Sequence, residues 1–151
     1  MLRVLPTTLE PLPDSVKALI EQRTFANLAT LMPDGSPHVV QTWVDHEGDL
    51  VVINTFDGSQ KHKNAKRDSR VALTITDPAE QFHIAVVRGR VKEITFDGAE
   101  EHIDRMAMKY LGQPKYQRRF PGRRVLIKIE ATRVIPPWTD THPRGNQPKK
   151  S

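Results

Sequence analysis

Gly-containing turns divide the first part of the chain into short strand-like segments. Residues 24–31 mix β-branched, aromatic and small side chains, residues 38–44 are rich in Val, Thr and Trp, and residues 50–56 form a third apolar segment. Between them lie the sequences Pro33-Asp34-Gly35 and His46-Glu47-Gly48-Asp49. Both are typical of turns, because Pro presets one backbone dihedral angle and Gly tolerates a positive φ. Two successive hairpins predict an antiparallel meander.

Later segments continue this alternating pattern. We predict further strands over residues 70–76, 82–95 and 125–135, and Gly89 inside the long middle segment indicates a bulge or a bend. About six strands predict a mostly β, antiparallel barrel, since closing a sheet removes its exposed edges. The interior of a small barrel is filled by side chains, so a ligand is expected outside the barrel or at a subunit interface.

Short helices are predicted between these strands. Asp14 or Ser15 is a suitable N-cap for a helix that ends near residue 23, and Asp97 for one that ends near residue 111. Residues 60–67 predict a short and very polar helical segment. The helices therefore interrupt the run of strands without changing the expected fold class.

The length of 151 residues fits one ordinary domain. We expect an N-terminal arm over residues 1–14, the barrel over 15–138 and a polar, basic tail over 139–151. The chain has no Cys, which excludes a disulfide scaffold and a thiol nucleophile. We find neither a spanning apolar run of about 18 residues nor a signal-peptide core. A cytoplasmic protein without a membrane span is therefore expected.

The formal net charge of +5 is concentrated in two regions. From residue 115 onward there are ten Lys and Arg side chains against two acidic ones. A second cluster lies within residues 57–70, in an otherwise slightly acidic body. Such charge suits nucleic acid, an anionic membrane or a phosphorylated ligand. The basic C-terminal region has few aromatic side chains and no RNA-binding signature, so nucleic acid is the weaker alternative.

Most motifs of catalysis and nucleotide binding are absent from the sequence. The six His residues form no H-E-x-x-H pair, and no spacing among them predicts a metal site. There is no G-x-S-x-G elbow, no P-loop and no G-x-G-x-x-G turn. Metalloproteases, serine hydrolases of that type and the common nucleotide-binding folds therefore lack support.

Residues 54–70 form the most informative stretch. A strand ends there, a Gly-containing turn follows, and a short helical segment opens with Ser59, Gln60 and Lys61. Backbone amides at a helix start point outward together, and a nearby Lys supplies positive charge, so this arrangement suits a phosphate. A solvated basic surface helix is the plain alternative, and spacing does not separate the two.

Three stretches resemble, in order, the flavin/deazaflavin oxidoreductase superfamily, which has the pyridoxamine 5'-phosphate oxidase-like split β-barrel. They are F-A-N-L-A-T with D-G-S-P-H-V-V at 25–30 and 34–40, S-x-K-x-x-N-x-x-R-D-x-R-V-A-L at 59–73, and V-x-R-G-x-V at 86–91. The resemblance covers about residues 15–136, and the second stretch is the most specific.

The resemblance implies a homodimer with two cofactor sites at the subunit interface. Lys61 with Ser59 and Gln60 would hold the cofactor phosphate, and Asn64 would brace that loop. The tricyclic ring of the cofactor would lie beside residues of two strands, namely Val39, Val40, Gln41, Asn54 and Thr55. Phe82 and His83 would approach it from the other subunit. Trp138 would cover the ring or the substrate pocket. No residue is identified as catalytic.

The subset most similar to this sequence uses the deazaflavin F420, and close relatives use FMN. An F420H2-dependent reductase acting on an unsaturated or conjugated small molecule is therefore expected. An FMN-dependent oxidoreductase and a non-catalytic F420-binding protein are the alternatives. Vitamin B6 oxidation is disfavoured, because Lys61 is the main cation at the loop start and the C-terminal match to those oxidases is poor.

Overall fold

The computed structural model describes residues 8–117 and 121–138. Within them the chain forms three helices and seven strands, in this order: α1 (Asp14–Glu21), β1 (Phe25–Leu31), β2 (Pro37–Trp43), β3 (Asp45–Glu47), β4 (Leu50–Phe56), α2 (Gln60–Arg67), β5 (Arg70–Asp77), β6 (Glu80–Thr95), α3 (Ala99–Leu111) and β7 (Arg124–Ile135). Residues 1–7 of the expected arm and the expected tail, 139–151, lie outside the described residues.

The seven strands form one antiparallel sheet in the order β2-β1-β5-β6-β7-β4-β3. The sheet curls so that β2 approaches β4 without pairing with it, which leaves a split between the two strands. The predicted antiparallel split barrel is therefore confirmed. The additional strand is β3, which pairs with β4 from Asp45 to Glu47. The predicted turn over 46–49 is tighter in the structure, because Gly48 adopts a φ of 59° and lets pairing start earlier.

Period-two alternation places the core inside the curled sheet. In β1 and β5 every second side chain is buried, including Leu28, Leu73 and Ile75. The buried face of α1, with Leu19 and Ile20, joins the same cluster. Complete burial of one such side chain contributes about 1.5–3 kcal/mol to folding. The polar faces of the strands are consequently left for the surface and for the cleft described below.

The long strand β6 pairs with β5 along one edge and with β7 along the other. Its register with β7 shifts between Arg88 and Gly89, which confirms the bulge predicted at Gly89. A Cβ atom on Gly89 would lie 2.2 Å from the backbone oxygen of Glu130. The close approach of two backbones therefore requires glycine at this position.

Two predicted helix caps differ in the structure. The N-cap of α1 is Pro13, whose carbonyl accepts from the amides of Val16 and Lys17, so Asp14 lies in the first turn. The N-cap of α3 is Gly98 with a φ of 74°, not Asp97. Both predictions relied on a capping side chain. In the structure neither N-cap makes a side-chain hydrogen bond, and the helices start from the backbone conformation of Pro13 and Gly98. None of the described helices has the length and hydropathy needed to cross a membrane.

Candidate functional site

A cleft of about 320 Å³ opens at the split between β2 and β4. Helix α2 contributes Lys61, α3 contributes His102, and the start of β7 contributes Arg124. Four of the residues predicted from the sequence line this cleft: Gln41, Asn54, Thr55 and Lys61. The elements that meet here are distant along the chain, so the cleft exists only because the sheet curls.

The start of α2 is built as the sequence predicts. Ser59 is the N-cap, and its hydroxyl accepts from the His62 amide at 3.3 Å and from the Thr55 hydroxyl at 2.9 Å. The His62 ring is buried behind the loop and accepts from the Gly58 amide at 3.0 Å. These contacts fix the first turn of α2, and Lys61 lies on that turn at the edge of the cleft.

Lys61 shares the cleft with a second cation, Arg124. Burial lowers the pKa of the Lys61 ammonium, and the neighbouring charge of Arg124 lowers it further. Arg124 is only 8% exposed. Two cations that repel one another in a partly desolvated cleft are stabilised by an anion placed between them. The chemistry of the site therefore fits a negatively charged ligand.

Arg124 is held in place by Asn54. Its Nε donates to Oδ1 of Asn54 at 2.8 Å, and its guanidinium carbon lies 5.2 Å from the centre of the Tyr116 ring. Arg124 was not among the predicted site residues, although it belongs to the basic C-terminal region. The pairing of β4 with β7, which sets Asn54 opposite Leu126, brings Arg124 to the cleft. No local pattern in the sequence carries that information.

Asn54 is buried and its carboxamide makes three contacts. Besides accepting from Arg124, it donates to the Ala99 carbonyl at 2.9 Å and to Nδ1 of His102 at 3.0 Å. The resemblance places Asn54 beside a cofactor ring. In the structure its polar atoms are engaged with the protein, and it forms part of the back wall of the cleft.

Aromatic side chains form a second wall that sequence reasoning missed. Trp43 stacks on Tyr110 with ring centres 4.8 Å apart and an angle of 5° between the rings. Tyr116 meets the edge of Trp43 at 5.9 Å. Trp43 and Tyr116 both line the cleft, so a planar group there would meet aromatic surface as well as the two cations.

The structure places Gln60 and Asn64 behind the start of α2 rather than in the cleft. Gln60 donates to Oδ1 of Asn64 at 2.8 Å. Asn64 is fully buried and donates to the Thr30 hydroxyl at 3.0 Å, which ties α2 to β1. Across β1 and β2, Thr30 is paired with His38, whose Nδ1 is buried and has no hydrogen-bond partner among the described residues.

The remaining predicted residues lie away from the cleft within one chain. Val39 is 66% exposed and Val40 is half-buried, both on β2 before Gln41. Phe82 is also 66% exposed, and Nδ1 of His83 lies 3.7 Å from an Asp77 oxygen. Trp138 is exposed just beyond β7. No three His, Asp or Glu side chains in the described ranges come together in a way that could hold a metal ion.

Comparison with known proteins connects this geometry to a family. The sequence profile of the family described as pyridoxamine 5'-phosphate oxidase matches residues 12–136. The chain is 32% identical over 127 residues to an F420H(2)-dependent biliverdin reductase of Mycobacterium tuberculosis (strain CDC 1551 / Oshkosh). That alignment covers 82% of this chain and 87% of the reductase.

Several solved structures have a similar fold, and two of them illustrate the range. One, named F420 Reductase, superposes with a TM-score of 0.71 at 26% identity and covers 82% of this chain and 98% of its own. The General Stress Protein 26 of Bacillus anthracis str. Sterne shares the fold, with a TM-score of 0.60 at 20% identity, over 80% of this chain and 89% of its own. Because the family profile spans nearly the whole barrel, this chain belongs to the pyridoxamine 5'-phosphate oxidase family.

Proposed function

We propose that this protein is an F420H2-dependent reductase that acts on an unsaturated or conjugated small molecule. The observation that carries the proposal is a cleft lined both by two cations, Lys61 and Arg124, and by two aromatic side chains, Trp43 and Tyr116. F420 is a planar, anionic deazaflavin, and this combination of charge and flat apolar surface suits such a group. The 32% identity to an F420H(2)-dependent biliverdin reductase supports the same reading.

The residues present would divide the work of binding. Lys61, with Ser59 and Gln60, would hold the cofactor phosphate, Arg124 would add a second cation, and Asn64 would keep α2 in place. The ring would lie along Val39, Val40, Gln41, Asn54 and Thr55, with Phe82 and His83 of a second copy of the chain closing the site. When bound, the reduced deazaflavin supplies a hydride from C5.

The protein's part in the reaction is orientation and exclusion of water. The aromatic side chains and the buried, hydrogen-bonded carboxamide of Asn54 form fixed parts of the cleft wall. In such a site, fixed charges act more strongly on a bound anion than they would in water. Reduction also needs a proton, which comes from solvent or from a side chain near the substrate.

FMN is the second candidate cofactor, because the family resemblance extends to FMN-dependent enzymes. Purified protein that is yellow with a flavin spectrum would favour FMN. Fluorescence titration with F420 and with FMN at matched concentrations separates the two. We expect F420 to bind with micromolar affinity or better and FMN to bind more weakly. If neither binds in that range, both cofactor proposals are wrong.

Replacement of Lys61 tests the site itself. Lys61→Ala removes one of the two cations and is expected to weaken F420 binding by about 1.5–3 kcal/mol, the scale of a charge-assisted hydrogen bond. Lys17→Ala is the matched control, because Lys17 lies on α1 and pairs with Asp49 outside the cleft. Equal affinities for the two variants would contradict the assignment of Lys61.

Turnover distinguishes an enzyme from a non-catalytic F420-binding protein. Oxidation of F420H2 is followed by absorbance in the presence of quinones, enones and linear tetrapyrroles. The relative with biliverdin reductase activity makes tetrapyrroles the first class to test. We expect at least one class to accelerate the oxidation, and tight binding without any acceleration would identify a carrier.

A further inference from the structure

A series of hydrogen-bonded polar side chains leads from the buried back of the cleft to the half-buried carboxylate of Asp45. Arg124 Nε donates to Asn54 Oδ1 at 2.8 Å, Asn54 Nδ2 lies 3.0 Å from His102 Nδ1, and His102 Nε2 lies 2.9 Å from Asp45 Oδ2. Asn54, His102 and Arg124 are each less than 10% exposed. These hydrogen bonds join β3, β4, β7 and α3, four elements that are not neighbours in the sequence.

The partners of Asn54 fix the donor and the acceptor of each hydrogen bond in this series. The Ala99 carbonyl can only accept and Nε of Arg124 can only donate, so Nδ2 and Oδ1 of Asn54 have one consistent assignment. Asn54 Nδ2 must then donate to Nδ1 of His102, which therefore carries a lone pair. The single ring proton of His102 is on Nε2 and is donated to Asp45.

His102 separates two cavities of different charge. On the cleft side are Lys61 and Arg124. On the other side a cavity of about 390 Å³ contains the side chains of Asp45, His46, Glu47, Asp97, Glu101, Arg105 and Lys128. Burial alone would raise the pKa of Asp45, but hydrogen bonds from His102 and the His46 amide, together with the charge of Lys109, hold it below its usual value.

We propose that His102 is a positioning residue, which in its singly protonated form fixes Asn54 and, through it, the guanidinium of Arg124 at the cleft. This inference rests on the proposed function, since the ligand that Arg124 meets is the anionic cofactor. Asp45 acts in turn on His102, because its carboxylate selects the tautomer with a free lone pair on Nδ1.

A second proton on His102 would break this arrangement. Nδ1–H would then point at the NH2 group of Asn54. Rotating the carboxamide by 180° would turn that NH2 group onto Nε–H of Arg124 and its oxygen onto the Ala99 carbonyl. Either orientation therefore buries a hydrogen-bond donor against another donor, and the rotated one also buries an acceptor against an acceptor. Such unsatisfied buried groups cost free energy. Protonation therefore disturbs the hydrogen bond by which Asn54 positions Arg124, and we expect anion binding to weaken although positive charge has been added.

The test is the pH dependence of F420 affinity, measured by fluorescence from about pH 8 to about pH 5, where His titrates. His102→Gln can accept from Asn54 and donate to Asp45 but does not titrate, so we expect wild-type affinity at pH 8. On acidification the wild type should lose affinity relative to this variant. His102→Leu makes neither bond and should bind about ten-fold more weakly at pH 8.

His46→Gln is the matched control, because His46 lies in the second cavity and pairs with Glu21 rather than with Asn54. It should follow the wild-type pH profile. If the wild type binds no F420 at any pH, the proposed function is wrong. If it binds, but His102→Gln has the wild-type pH profile, the positioning role is overturned. This comparison stands even if thermal unfolding shows that His102→Leu does not fold.

Discussion

At the scale of single residues, the cleft depends on side chains whose environment changes their chemistry. Lys61 is partly withdrawn from water beside Arg124, and the pKa of its ammonium is lowered for that reason. Asn54 exchanges all its hydrogen bonds with water for bonds within the protein. Substitution of such a residue costs more stability than substitution of an exposed one, because its hydrogen-bond partners are left buried and unsatisfied.

Gly89 is a residue whose replacement should affect folding directly. In Gly89→Ala the new Cβ would lie 2.2 Å from a backbone oxygen of Glu130, and backbone does not move aside as a flexible side chain can. We expect the free energy of unfolding, measured in urea, to fall by about 1–3 kcal/mol or more. Gly35→Ala serves for comparison: its Cβ would meet nothing within 4 Å, and only a φ of 84° opposes it. A larger loss of stability in Gly35→Ala than in Gly89→Ala would contradict the role given to the close approach of the Gly89 and Glu130 backbones.

His62 should make stability depend on pH. Burial lowers the pKa of its ring below the ordinary 6.5, the charge of Lys66 lowers it further, and Asp57 opposes both. The unfolded chain then takes up the proton at a higher pH than the folded one. Stability is therefore fully present above about pH 6.5 and declines as the pH falls toward the lower folded pKa.

Urea unfolding at about pH 7.5 and about pH 5.5 checks this sign, since the interval includes the unfolded pKa of His. His62→Gln can still accept from the Gly58 amide but does not titrate, so it should lose less stability on acidification than the wild type. The same loss in both proteins would show that other groups cause the pH dependence.

At the scale of elements, the last turn of α3 braces the aromatic wall. Lys109 donates to the carbonyls of Ile20 and Val44, which lie at the end of α1 and just after β2. The Tyr110 hydroxyl donates to the Thr24 carbonyl at 2.5 Å and accepts from the Val44 amide at 3.1 Å. Burial lowers the pKa of Lys109 to about 8 and raises that of Tyr110 to about 12. Three elements are thus joined behind Trp43.

Removing the Tyr110 hydroxyl should loosen this junction. Tyr110→Phe leaves the Thr24 carbonyl and the Val44 amide without that partner, and we expect the free energy of unfolding to fall by about 1–2 kcal/mol. Tyr116→Phe is the matched control, because the structure records ring contacts but no hydrogen bond for its hydroxyl within the described residues. Comparable losses in the two variants would argue against a specific role for the Tyr110 bonds.

At the scale of the whole molecule, the split barrel leaves apolar side chains in water. Val39 lies on the edge strand β2, and Phe82 lies near the start of β6; each is 66% exposed. The family resemblance implies a homodimer whose interface contains the cofactor sites, and burial of these side chains gives a physical reason for it. The dimer and the expected cytoplasmic location remain predictions.

Sedimentation analysis tests the dimer. We expect the wild type to sediment with twice the mass of one chain, and Val39→Asp and Phe82→Asp to shift toward the monomer and to lose F420 affinity together. Met108→Asp is the control, since Met108 is an exposed apolar residue on α3 that the proposal leaves outside the interface. A wild type that sediments as a monomer would overturn the shared-site arrangement.

Some elements were predictable from sequence with their bounds. The strand over 50–56 and the helix over 60–67 agree with β4 and α2, because the apolar segment and the Asp57-Gly58-Ser59 break that ends it are local signals. Asp45–Glu47 was assigned largely to a turn, since three residues are too few to show a period. Arg124 and His102 were missed because each fits an ordinary strand or helix position.

The sequence alone therefore determines the alternating strands, the turns between them and the helix start at 59–61, since each depends on neighbours a few positions apart. Tertiary structure decides which side chains meet. Only the pairing of β4 with β7, the curl that brings β2 to β4 and the packing of α3 place Lys61, Arg124, Trp43 and His102 around one cleft. That pairing is set by burial of the common core, to which strands far apart in the chain contribute together.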